Sequence, residues 1–167
     1  RAKDAALGVA VDGDADRFGI VDADGAYIHA NHVLGLLSDY LIASRGWRGE
    51  IVRSVPTSHL LDAVAGHHGA SVVETPTGFK YIGERSLEAP EEFILGGEES
   101  NGMTVRGHIP EKDGILACLL VAEMVAVRGA TLSQLLEDLF ARVGRREVDR
   151  LDLELPDERK RALLTRF

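Results

Sequence analysis

The sequence has a single cysteine, Cys118, so no disulfide can form within the chain. Cys118 lies in the apolar run Ile115 to Val121 and reads as a buried structural thiol rather than a nucleophile. The lack of a disulfide framework fits a reducing compartment, and the expected localisation is cytoplasmic. No stretch approaches ~20 uninterrupted apolar residues, so no membrane partner is expected. Positive charge is also scarce. Lys and Arg number 19 against 27 Asp and Glu, giving a net charge of -8 and a pI of about 5.2. A nucleic-acid partner is therefore not expected, because such proteins carry a basic stripe. A few cations in a cleft would still suffice to attract a phosphorylated small molecule. No glycine-rich loop ends in Gly-Lys-Ser/Thr, which excludes an ATPase-type phosphate loop. There is no internal repeat and no low-complexity segment. The opening residues, Arg1-Ala2-Lys3-Asp4, do not make a signal peptide. They run so soon into a strand pattern that the chain reads as a fragment.

What is present is a globular balance, with 167 residues, 45% hydrophobic and 28% charged. That is enough for one ordinary domain, or for one domain with pieces of its neighbours. Strand-like and helical stretches then alternate. Leu7 to Val11 and Phe18 to Val21 read as strands, with a turn at Asp22-Ala23-Asp24-Gly25 and an extended Ala26 to Ile28. Val33, Leu34, Leu37, Tyr40 and Leu41 share a helical stripe that Gly46 ends. Glu50 to Val55 is a strand, and Ser58 is placed to cap a helix through Leu60, Leu61 and Val64. His67 and His68 close that helix; adjacent helical residues point about 100° apart and do not share an ion easily. Ser71 to Glu74 and Phe93 to Leu95 are strands around a helix from Tyr81 to Leu87. A long, largely buried helix follows Gly114, and Thr131 caps another with Leu132, Leu135, Leu136 and Leu139 inward. From Gly144 the pattern changes to an alternating run, Val148 to Leu155, and then a charged helix from Asp157 to Phe167.

The stretch Asp12-Gly13-Asp14-Ala15-Asp16-Arg17 carries the sharpest chemistry. Alternation aims Asp12, Asp14 and Asp16 at one point. Three close carboxylates repel one another, and a cation at their focus removes the repulsion. All-oxygen ligation points to Mg2+ or Ca2+. An EF-hand would need Gly at the sixth position and Glu at the twelfth, where Arg17 and Ala23 stand. The plain alternative is an acidic surface turn.

Two further stretches could bind a ligand. Thr75-Pro76-Thr77-Gly78-Phe79-Lys80 joins a strand to a helix, where free amides and Lys80 suit an anion. Gly96-Gly97-Glu98-Glu99-Ser100-Asn101-Gly102 follows another strand, the two glycines reading as a tight exit. Ligand sites of open α/β sheets favour strand ends, and carboxylates accept protons from sugar hydroxyls. Each reads equally as an ordinary polar loop. Glu111-Lys112-Asp113-Gly114 leads into the long helix, and His108 reads as support for that loop.

These four motifs, in this order between Leu7 and Ala141, resemble the α-D-phosphohexomutases, the phosphoglucomutase and phosphomannomutase family. The resemblance implies an α/β fold with a mixed sheet flanked by helices, preceded by a strand–metal-loop–strand piece. It implies residues 1–29 as the end of that family's second domain, 30–143 as its third, and 144–167 as a connector or the start of the fourth. It implies reversible phosphoryl transfer between the 1- and 6-hydroxyls of a hexose, through a phosphoserine absent from this chain. Asp12, Asp14 and Asp16 would hold Mg2+. Arg17 and Lys112 would be catalytic. Thr77, Gly78, Lys80, Glu98, Ser100 and Asn101 would bind the substrate, a small phosphosugar. Glucose-1,6-bisphosphate would activate the full enzyme, and the missing domains of the same polypeptide would be the chain's partners. Glucose, mannose and glucosamine stay open. Two readings outside the family also stay open: a non-catalytic divalent-cation-binding α/β module, and an aspartyl phosphatase.

Overall fold

The computed structural model describes residues 5–149 and 154–165. Two sheets form. The first is an antiparallel meander, β1 (Leu7–Val11), β2 (Phe18–Asp22) and β3 (Tyr27–Ile28), in that order. Val11 pairs with Phe18 and Val9 with Ile20, so the acidic loop caps the β1–β2 hairpin.

The second sheet has β4 (Glu50–Ser54), β5 (Ser71–Thr75), β6 (Phe93–Glu98) and β7 (Gly102–Val105), in the order β5-β4-β6-β7. β5, β4 and β6 run parallel, and β7 returns antiparallel on β6. The helices are α1 (Ala30–Arg45), α2 (Leu60–His68), α3 (Phe79–Glu88), α4 (Gly114–Arg128), α5 (Leu132–Val143) and α6 (Asp157–Leu164). The sheet is mixed and flanked by helices, as expected. α3 covers one face, where Phe79 and Ile82 pack with Val52 and Phe93. α1, α2, α4 and α5 share the larger core on the other side, with Ile51, Ile94 and Leu95.

Local signals account for most helix ends. Gly46, Gly69 and Gly129 take left-handed conformations after α1, α2 and α4, where a Cβ would be penalised. Thr131 and Gln134 form a reciprocal capping box on α5, which satisfies two orphan amides. Ser58 works one residue further out than expected. His59 is the cap position of α2, and the Ser58 hydroxyl accepts from the Leu60 amide at 3.1 Å. α3 opens at Phe79 rather than Tyr81.

Three features differ from the sequence pattern. Gly96 and Gly97 are not an exit turn; β6 continues through them to Glu98, paired with β7. A Cβ on Gly96 would meet Ile82 at 2.3 Å, and one on Gly97 would meet Leu34 at 2.4 Å. These glycines let α3 and α1 press onto opposite faces of the sheet. β7 itself did not emerge from the sequence pattern. The third concerns α4, which is not buried all round: Ile115 is 54% and Leu119 62% exposed. The run from Val148 to Leu155 forms no strand where it is described, and residues 150–153 lie outside the described residues, as do the last two residues of the charged segment.

The meander is tied to the larger domain through a carboxylate. Asp22 is buried at the start of α5, accepting from the Leu132 and Ser133 amides at 3.1 and 2.8 Å and from the Ser133 hydroxyl at 2.6 Å. Burial works against its ionisation, but these donors win and hold the Asp22 carboxyl below the usual range.

Candidate active site at the meeting of three loops

The acidic loop is shaped by its own backbone. Ala15 N–H donates to the Asp12 carbonyl at 3.2 Å, and Arg17 N–H to Asp12 Oδ1 at 3.2 Å. Ala15 is left-handed, φ 61°, a conformation that an L-residue holds only when its surroundings enforce it. One oxygen from each of Asp12, Asp14 and Asp16 lies within 4.8 Å of the others. This all-carboxylate donor set fits a hard divalent cation.

Two neighbouring loops enforce the shape. Gly114 N–H, at the start of α4, donates to the Ala15 carbonyl at 2.9 Å, and Phe18 N–H donates to the Asn101 carbonyl at 3.1 Å. Asn101 is also left-handed, φ 73°, and its amide donates to the Tyr27 hydroxyl at 3.1 Å. Asp12, Arg17, Ser100 and Asn101 thus line one open cavity of about 320 Å³.

Lys112 reaches the same place. Its ammonium pairs with Asp16 at 2.5 Å. The hydrogen bond from Lys112 is the main cause that holds the Asp16 carboxyl low, and Asp16 in turn raises Lys112. A protein cation therefore already answers part of the triad's negative charge. Arg17 is exposed and only 3.7 Å from Asp16, so its guanidinium is available to a ligand. His108 Nε2 donates to Asp113 Oδ2 at 2.8 Å and serves the loop, as the sequence suggests. Asp113 also caps α4 through the Leu116 amide at 2.8 Å.

Glu98 ends β6 almost buried, 6% exposed, and Gly78 N–H donates to its Oε1 at 3.0 Å. The second loop's amide is thereby turned toward a protein carboxylate rather than left for an anion. Thr77 and Lys80 are exposed. The Lys80 ammonium sits 4.6 Å from the Tyr81 ring centroid, and among the described residues no hydrogen bond or ion pair joins Thr77 or Lys80 to the acidic loop. The sequence reading missed a buried hydroxyl pair, Ser54 and Thr57, that contacts Glu99. The only local signal was the polar turn Ser54-Val55-Pro56-Thr57-Ser58. Cys118 is buried, its thiol raised by burial and 3.5 Å from the Ala10 carbonyl, consistent with a structural role.

A doubly covered mixed sheet with an acidic hairpin loop at its edge defines the α/β class to which these loops belong. Residues 29–143 match the model of the phosphoglucomutase/phosphomannomutase alpha/beta/alpha domain III, and the chain belongs to that family. It is 32% identical over 139 residues to a phosphoglucomutase/phosphomannomutase of Thermococcus kodakarensis, covering 83% of this chain and 30% of that protein. It is 35% identical over 153 residues to human phosphoglucomutase-1, covering 89% of this chain and 26% of that one. The crystal structure of a putative phosphomannomutase from Thermus thermophilus superposes with a TM-score of 0.78 at 39% identity, over 83% of this chain and 31% of its own. The chain thus spans less than a third of the length of these relatives.

Proposed function

We propose that this chain is the metal-loop and third-domain portion of a phosphohexomutase that interconverts hexose 1-phosphate and hexose 6-phosphate. Residues 1–29 would close the second domain, 30–143 form the third, and 144–167 lead toward a fourth. The observation that carries the reading is the pair of backbone hydrogen bonds, Gly114 to Ala15 and Phe18 to Asn101. They join the acidic loop to the lysine loop on one side and to the Glu98–Asn101 loop on the other. A cation module or an aspartyl phosphatase has no use for the second and third loops. Further parts of the polypeptide find a surface here: β1 has no neighbour but β2 among the described strands, and Val9, Val11, Ile115 and Leu119 are exposed.

In this reading Asp12, Asp14 and Asp16 hold Mg2+. The bound ion neutralises charge on a transferring phosphoryl group. Arg17, free of a tight partner, steadies the same group by charge-assisted hydrogen bonds. Glu98 spends one oxygen on the Gly78 amide and turns the other to a sugar hydroxyl, with Ser100 and Asn101 beside it. Lys112 adds positive charge at Asp16 and is the group here best placed to balance charge as phosphoryl moves. Thr77, Gly78 and Lys80 bound the sugar from the far side. The phosphoryl donor, a phosphoserine, would come from the preceding part of the polypeptide, and the sugar would pass through a bisphosphate.

The test is turnover. The full polypeptide, supplied with glucose 1-phosphate or mannose 1-phosphate, Mg2+ and catalytic glucose-1,6-bisphosphate, should form the 6-phosphate. Residues 1–167 alone, which carry no phosphoserine loop, should form none. No turnover by the full polypeptide on any hexose phosphate would refute the proposal.

A further inference from the structure

Three turns meet at the carboxyl edge of the parallel strands: the one after β4, the one after β5, and the one between β6 and β7. The first is unusually dense in buried hydroxyls. Ser54 is 0%, Thr57 2% and Ser58 3% exposed. Ser58 is occupied in capping α2, and its own N–H donates to Asn31 Oδ1 at 3.0 Å. Ser54 and Thr57 do something else. Their oxygens are 2.8 Å apart, and Glu99 N–H donates to Thr57 Oγ1 at 3.1 Å. Glu99 Oε2 lies 3.4 Å from each hydroxyl oxygen.

A hydroxyl has one proton to give and room for two. Two arrangements satisfy the geometry: Ser54 donates to Thr57 and Thr57 to Glu99 Oε2, or Thr57 donates to Ser54 and Ser54 to Glu99 Oε2. In both, the Glu99 amide donates to Thr57, the Thr57 proton goes to a protein partner, and the oxygen is nearly sealed from solvent, so it is not itself a ligand for substrate. The turn that carries it is also fixed. Thr57 N–H donates to the Ser54 carbonyl and Val55 N–H to the Thr75 carbonyl, each at 2.9 Å.

Glu99 sits between Glu98 and Ser100. We propose that Thr57 is a positioning residue: its hydroxyl holds the backbone and side chain of Glu99, and so sets Glu98 and Ser100 before the hexose phosphate arrives. The inference rests on the reading of that loop as the sugar-binding loop. Glu98 is held from the other side by Gly78, so the loop is clamped between the turns after β4 and β5. Orientation is a main lever in phosphoryl transfer, and displacement of about 1 Å can slow a reaction about 100-fold.

Two variants separate the hydroxyl from the bulk. Thr57→Val keeps the shape and removes the hydroxyl; Thr57→Ser keeps the hydroxyl. Amide hydrogen exchange on the 167-residue chain reads the clamp directly. In Thr57→Val the Glu99 amide should exchange about tenfold faster or more, while Val52 in β4 and Val64 in α2 stay at their parent rates; Thr57→Ser should stay close to the parent. In the full polypeptide, Thr57→Val should lower kcat about ten- to 100-fold and leave KM within about threefold, with Thr57→Ser restoring most of the loss. Unchanged exchange at Glu99, equal acceleration throughout the domain, or a serine variant as impaired as the valine one would each overturn the inference. A parent polypeptide without mutase activity would instead sink the sugar-binding reading, and the exchange data would still decide whether Thr57 holds the loop.

Discussion

A single methyl group at Gly114 should disturb the acidic loop from behind. Gly114 opens α4, and a Cβ built there would lie 2.5 Å from the Arg17 carbonyl oxygen, 2.6 Å from its carbon and 3.0 Å from the Ala15 oxygen. Ordinary contact begins near 3.4 Å, so Gly114→Ala requires the Ala15–Arg17 backbone to retreat by roughly 0.9 Å. The obstacle is backbone, not the tip of a side chain, so it cannot swing aside. Overpacking of this kind costs about 1–3 kcal/mol. Alanine's better helix propensity offsets up to about 1 kcal/mol of that. A net loss of about 1–2 kcal/mol corresponds to a fall in Tm of roughly 2–8 °C for a chain of this size. The effect on the site should be larger than the effect on the fold. Asp14 and Asp16 flank Ala15, and a shift near 1 Å changes the distances among three carboxylates that now lie within 4.8 Å. Titration calorimetry with Mg2+ should show weaker binding, and kcat/KM of the full polypeptide should fall about 10- to 100-fold. Ile115→Ala, one residue on but 54% exposed, should change stability by less than about 0.5 kcal/mol. Parent-like Mg2+ affinity and Tm in Gly114→Ala would refute the claim that α4 props the loop.

Asp14→Asn should weaken Mg2+ dependence while the fold survives, because it removes one of three mutually repelling charges; equal Mg2+ dependence in variant and parent would remove Asp14 from the site. Asp39 ties α1 to its neighbours, pairing with Arg142 at 2.7 and 2.9 Å and with His68 at 2.8 Å. Burial opposes its ionisation, but the Arg142 and His68 bonds outweigh burial and hold the carboxyl low. A depressed carboxyl stabilises above its unfolded value of about 3.9 and loses that contribution as pH falls through the folded one. Asp39→Asn should therefore cost about 1–2 kcal/mol at neutral pH, with the Tm gap holding down to about pH 4 and closing as pH falls further; a gap that already closes between about pH 7 and 5 would exclude Asp39. Gly66 lies within α2 with nothing within 4 Å of its Cβ position, so Gly66→Ala should stabilise by about 0.5–1 kcal/mol, and a fall in Tm on thermal denaturation would contradict the open face assigned to it.

The sequence by itself determined what short-range chemistry determines. Gly46 ends α1 because only the residue after the stripe needs a left-handed turn. Thr131 and Gln134 form a capping box because they are three residues apart. Asp12, Asp14 and Asp16 are near one another because they alternate within one short hairpin loop, but the left-handed Ala15 between them is held by the Gly114 amide from α4. Tertiary structure decided what depends on distant partners. A glycine permits either a turn or a close approach, and the choice at Gly96 and Gly97 was made by Ile82 and Leu34, which arrive on opposite faces of the sheet. Ile115 and Leu119 are exposed on an apolar helix, because apolar patterning says which residues share a stripe and nothing about what covers it. Thr57 and Glu99 stand 42 positions apart, and Gly78 and Glu98 stand 20 apart. Their hydrogen bonds exist only because parallel strands end at a common edge, which places three turns, remote along the chain, within reach of one another.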